Sequence, residues 1–177
     1  MKEAVGGTWL FGIVITFIVF FTTYISMSTN YAKTFKVKDE ILLTIEHFNG
    51  VNENSIGRIN RYLDEVGYFS RGDCKGYDGR DASIGRNKFS KWLGFEFNNP
   101  TNSPSSSVED VNYCIRQSLF NSGDGKVAAH PRSAHYQVVV FFSLDWPVIG
   151  AFLNVRIEGE TSIIHMYTEE DKYKFHA

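Results

Sequence analysis

The sequence predicts an α+β fold: one long N-terminal helix, transmembrane at first and amphipathic beyond, packed on a small C-terminal antiparallel β-sheet. Three observations predict it. Residues 4–32 carry no formal charge, the stretch after them spaces its apolar side chains by three and four, and the last third alternates apolar with polar residues. A chain of 177 residues has room for one domain with its own core and an appendage. The expected organisation is therefore an N-terminal transmembrane helix over residues 1–30 and an extracytoplasmic α+β head over residues 31–177 that includes the helix continuation 31–48.

The first element rests on Trp9, Leu10, Phe11, Ile13, Val14, Ile15, Phe17, Ile18, Val19, Phe20 and Phe21. At 1.5 Å per residue, about 20 such residues cross the roughly 30 Å of bilayer hydrocarbon. The lipid bilayer is thus the first expected partner. A cleaved secretory signal is the alternative, with Ser26, Met27 and Ser28 as a weak small-residue site. Lys2 precedes the run and Lys33, Lys36 and Lys38 follow it, a bias that read alone would keep the remainder in the cytoplasm. Against it, about 145 residues follow, and long domains cross largely regardless of flanking charge. Cys74 and Cys114, an even count beside a membrane-targeting segment, suggest one disulfide in an oxidising compartment; two buried free thiols are the other reading.

Beyond the apolar run, Val37, Ile41, Ile45 and Phe48 form a helical stripe that Tyr31, Phe35 and Leu42 widen. No Pro or Gly interrupts residues 13–49, so both stretches read as one helix ending at Asn49-Gly50. A second helix is signalled by Asn54 as cap, by Ile56, Ile59, Leu63 and Val66 as its apolar stripe, and by Gly67 as its close. Residues 70–107 are loop-rich, with a strand or tucked loop in "KFSKWLGFEF". "VNYCIRQSLF" reads as a strand with Val111, Tyr113 and Ile115 opposite Cys114, or as a short helix. "HYQVVVFFSLDW" sets Tyr136, Val138, Val140, Phe142 and Leu144 against Gln137, Ser143 and Asp145. Pro147 and Gly150 mark a turn, Leu153, Val155 and Ile157 alternate after it, and Gly159 suggests a bulge. Three or four strands are expected, their apolar face covered by the amphipathic part of the long helix.

Residues suited to chemistry are scattered. The net charge of −2 and dispersed Lys and Arg residues give no basic footprint, so nucleic acid is not an expected partner. His47, His130, His135, His165 and His176 include no metal-binding pair at ligand spacing, and no cofactor motif occurs. "SGDGK" at residues 122–126 lacks phosphate-loop spacing and reads as a turn. Arg71, Gly72 and Asp73 beside Cys74 read as a structural loop rather than an adhesion motif. The paired acids Asp64-Glu65 and Glu109-Asp110 point apart on a helix and read as surface.

An apolar helix running into an amphipathic one, a loop-rich middle with a cysteine pair, and a terminal hairpin over residues 141–161 together resemble the TadE-like minor pseudopilins of tight-adherence pili, in particular their Gram-positive relatives. The hairpin carries the resemblance at Pro147, Gly150, Gly159, Glu160 and Thr161. It implies a pilin-like fold and a non-catalytic single-pass subunit that helps build a pilus or secretion filament beside other pilin-like or single-span membrane subunits. The chain departs from pilins cut by a prepilin peptidase, which carry Glu five residues after the cleavage glycine: the fifth residue after Gly7 is Gly12, and no acid follows until Asp39. A membrane-tethered ligand-binding or sensor module is the alternative. A small anchored hydrolase would need His130 or His135 beside a carboxylate and a nucleophile.

Overall fold

A computed structural model describes residues 2–74, 87–89, 91–120, 133–143 and 154–165. The predicted turn at Pro147 and Gly150, the residues Leu144, Asp145 and Leu153, the "SGDGK" stretch, His130 and His176 lie outside them. The fold is α+β. Helix α1 (Lys2–His47) and helix α2 (Glu53–Glu65) are followed by β1 (Asn87–Phe89), β2 (Leu93–Phe95), β3 (Tyr113–Phe120), β4 (Ser133–Ser143), β5 (Asn154–Glu160) and β6 (Ile164–His165). The chain divides into two compact units, Met1–Lys33 and Thr34–Ala177.

α1 is unbroken because its interior past Gly12 holds neither Pro nor Gly. It closes where expected: Asn49 adopts φ 53°, Gly50 adopts φ 139°, and the Gly50 N–H donates to Ile45 O at 2.9 Å. The cap of α2 lies two residues before the expected one. Asn52 accepts from the Ser55 N–H while the Ser55 hydroxyl accepts from the Asn52 N–H, both at 2.8 Å, a reciprocal box that Asn54 does not make. Gly67, at φ 59°, ends the helix as expected.

Among the described residues, six antiparallel strands occupy four positions across one sheet. β3 and β4 are central; β1 and β2 share the outer side of β3, and β5 and β6 share the outer side of β4. The stretch "KFSKWLGFEF" therefore holds part of β1 and all of β2, and "VNYCIRQSLF" holds β3. Between β4 and β5 the register runs without interruption from Gln137↔Glu160 to Ser143↔Asn154, so Gly159 is not a bulge. Its role is close approach: a Cβ there would stand 2.7 Å from Leu42 Cδ1 and 2.9 Å from Lys38 Cδ, both on α1.

Each sheet face is closed differently. On the first, Val37, Ile41 and Ile45 of α1 and Ile56, Ile59 and Leu63 of α2 pack with Tyr113, Ile115, Tyr136, Val138, Val140 and Ile157. The expected stripe on α1 is corrected at its margins: Thr34 and Thr44 are buried, whereas Tyr31 and Phe35 remain exposed. On the second face, Val139 and Phe141 of β4 meet Cys74, Trp92, Val111 and Cys114. Val111 thus belongs with Cys114 and not with Tyr113, because the chain turns at Asp110 (φ 54°) and bends at Asn112 before β3 begins.

Candidate functional site

The apolar part of α1 is the first candidate surface. Among the described residues one helix, Gly7–His47, is long and apolar enough to cross a membrane, and its most apolar window buries nothing. Every predicted span residue is exposed, from Ile13 at 42% to Trp9 at 74%. Four threonine hydroxyls within the run are satisfied locally. The hydroxyls of Thr16, Thr23 and Thr29 donate to Gly12 O, Val19 O and Ile25 O at 2.7–2.9 Å, and Thr22 reaches Ile18 O and Val19 O. Hydroxyls bonded back to their own helix need no partner from the surrounding medium.

The second face of the sheet is the other candidate. Cys74 and Cys114 form a disulfide with Cα atoms 5.9 Å apart, which resolves the two readings of the cysteine pair. The Arg71-Gly72-Asp73 stretch serves this closure. Arg71 pairs with Asp110 at 3.0 Å, Asp73 accepts from the Asp110 N–H, and Gly72 bridges to Val111. A Cβ on Gly72 would meet the Phe141 ring at 2.4 Å. At the end of the β3–β4 pairing, the Tyr68 hydroxyl accepts from the Phe141 N–H (2.8 Å) and donates to Phe141 O (2.5 Å), standing where a strand would otherwise bond. Burial pushes the Tyr68 hydroxyl pKa far up, and its bond to the Phe141 backbone lowers it in part.

Beyond the disulfide, a polar ladder crosses three strands. The Arg116 guanidinium lies 4.5 Å from the Trp92 ring centroid, Arg116 Nε donates to Gln137 Oε1, and Gln137 Nε2 donates to Glu160 Oε1. His135 pairs in register with Ser118 next to this ladder. Desolvation lowers the His135 pKa, Glu160 opposes that shift and Arg116 adds to it. The Ser118 hydroxyl is buried and makes no hydrogen bond among the described residues. Among the described residues no group of three His, Cys, Asp or Glu could hold a metal ion.

A third surface is an open groove of about 700 Å³ along the outer side of α2, lined among others by Arg58, Arg61, Tyr62, Glu65, Glu40 of α1 and Phe48 just after it. Arg58 lies 3.8 Å from Glu40. Partial burial, with Glu40 adding to it, raises the Tyr62 pKa.

Of the hairpin residues singled out in the sequence, Gly159, Glu160 and Thr161 are described. Thr161 Oγ1 accepts from the Tyr136 N–H, and the Thr161 N–H donates to Tyr136 O, both at 2.9 Å, prolonging the β4–β5 ladder by one pair. Sequence reading missed Tyr68, Trp92 and the Arg116–Gln137–Glu160 ladder. Their partners lie 73, 24 and 21 to 23 residues away, and no local pattern marks such pairs. Compared with protein-family models, with curated proteins and with solved structures, the chain matches none.

Proposed function

We propose that this chain is a non-catalytic, single-pass membrane subunit of the minor-pseudopilin kind, contributing to a pilus or secretion filament. The observation that carries the reading is α1 itself. One uninterrupted helix supplies an apolar, unburied stretch and then, from Thr34, the buried stripe of an α+β head. Such a helix serves two solvents: lipid or neighbouring helices around its first part, and a β-layer against its second. The Cys74–Cys114 disulfide favours an oxidising compartment for the head, hence an extracytoplasmic location. Lipid and other single-span subunits are the partners this reading names.

The test is purification of the tagged full chain from gently solubilised membranes. Recovery with other single-span, pilin-like subunits is the expected outcome; recovery strictly alone counts against it. The groove along α2 favours a second reading, a membrane-tethered ligand-binding or sensor module. Peptide or oligosaccharide mixtures that raise the thermal midpoint of the head, with the effect lost in Tyr62→Ala, would favour this second reading over the first.

A further inference from the structure

We infer that the open groove along α2 binds a neutral oligosaccharide, with sugar rings against Tyr62 and Phe48 and sugar hydroxyls on the polar side chains beside them. The inference rests on the second reading above, a ligand-binding head on a membrane tether, and names the ligand class for it. All residues lining the groove belong to the unit Thr34–Ala177. Ligand sites are commonly lined by apolar side chains with a few polar groups set among them. Here the proportion is reversed. Apart from the rings of Phe48 and Tyr62 and the bare Gly57, every lining side chain ends in a carboxylate, an amide or a guanidinium, and none among the described residues is aliphatic.

Such groups are planar and two-pronged. Each presents paired donors, paired acceptors or one of each in a single plane, a pattern that neighbouring hydroxyls of a sugar ring meet two at a time. The aromatic rings suit the other aspect of a sugar, its C–H faces, which pack on apolar ring surfaces. Charge narrows the class further. Glu40, Glu53 and Glu65 stand against Arg58 and Arg61, so the groove has no excess of positive charge to draw a phosphate or a uronic acid. Partial burial and Glu40 both raise the Tyr62 pKa, and its hydroxyl therefore keeps a proton to donate.

One polar group of the groove is held from the core. The Tyr113 hydroxyl donates to Asn60 Oδ1 at 3.1 Å, and Asn60 Nδ2 donates to Asn102 Oδ1 at 3.0 Å. Tyr113 and Asn60 are buried, so this chain of bonds fixes which end of the Asn102 amide turns toward the core. The other end, Nδ2, lies over Gly57, 3.3 Å from where a Cβ on that glycine would stand. Glycine is a poor residue inside a helix, and in α2 it leaves room for the Asn102 amide at the groove. A polar group set in place before the ligand arrives loses little freedom on binding, which matters most for a neutral ligand that makes no ion pairs.

The experiment places the full chain in lipid nanodiscs free of glycoside detergents and measures binding by saturation-transfer NMR. The probes are cellotetraose, maltotetraose and chitotetraose as neutral sugars, tetragalacturonate as an anionic one, and mixed tetrapeptides blocked at both ends. The expected result is saturable binding of a neutral tetrasaccharide, several-fold tighter than that of tetragalacturonate. Tyr62→Ala abolishes it. Arg61→Ala, at an exposed position where the fold tolerates the change, weakens it several-fold, and so does Gly57→Ala, although alanine is the better helix former. Tighter binding of tetragalacturonate, or binding of the tetrapeptides alone, overturns the inference while leaving the ligand-binding reading in place. Sugar binding unchanged in both Tyr62→Ala and Arg61→Ala puts the site elsewhere and overturns the inference as well. Absence of binding by every probe removes that reading and this inference together.

Discussion

The two faces of the β-sheet meet the same requirement, exclusion of water from β3 and β4, by opposite means. The first face is closed by area. Val37, Ile41 and Ile45 are fully buried there, each worth about 1.5–3 kcal/mol. The second face has no helix against it among the described residues. It is closed by a disulfide and a hydrogen-bonded ladder of polar side chains, while the Tyr68 hydroxyl, from the first face's core, caps the end of the β3–β4 pairing. Apolar area is tolerant of conditions, whereas a covalent link and buried polar groups answer to redox state and pH, so the second face is the chemically sensitive side of the head.

The largest expected effect breaks that contrast at its covalent link. Replacing Cys74 and Cys114 by Ser frees a loop spanning 40 residues and should cost about 4 kcal/mol in chemical denaturation. Hydrogen exchange sharpens the point: the amides of Gly72 and Val111 should lose protection while those of Ile41 and Ile45 keep it. Equal loss on both faces would show that they are one cooperative unit and not two.

On the first face, Gly159→Leu should cost about 3 kcal/mol, the upper end for overpacking, because its side chain enters space held by Leu42 and Lys38. Leu42→Ala in the same chain should restore part of that loss, and additive costs in the double variant would refute the contact. At the end of the β3–β4 pairing, Tyr68→Phe removes the hydroxyl that bonds both the Phe141 N–H and its carbonyl. A loss of about 2 kcal/mol is expected, with an unchanged thermal midpoint as the contrary result.

The smallest effect concerns His135. Its folded pKa lies below the ordinary value of about 6.5, so the unfolded chain takes up the proton first as pH falls. Stability is therefore full above about pH 6.5 and declines as pH drops from there toward the folded-state pKa. The thermal midpoint should fall between about pH 7.5 and 5.5, and His135→Gln should flatten that slope. An identical slope in the variant would assign the pH dependence to other groups.

Much of the fold was legible in the residues. The charge-free run, the stripe through Val37, Ile41 and Ile45, the closing Asn49-Gly50 and Gly67, and the alternation in β4 and β5 all express local rules of period and turn chemistry. Where the reading erred, a local competitor or a tertiary neighbour had the deciding role. Asn52 outcompetes Asn54 as cap because Ser55 completes the box. Gly159 admits α1 instead of forming a bulge. Tyr31 and Phe35 satisfy the helical spacing, but the buried positions beside them went to Thr34 and Thr44.

The sequence by itself determined the class of the protein, the continuity of α1, the ends of both helices and the strand character of its last third, since each depends on residues within a few positions of one another. Only the tertiary structure decided that the cysteines meet, that a second core closes the far face of β4, and that Arg116, Gln137 and Glu160 align across three strands. The physical reason is range: a side chain's neighbours across a sheet depend on strand register and on loops tens of residues long, and no periodicity along the chain encodes them.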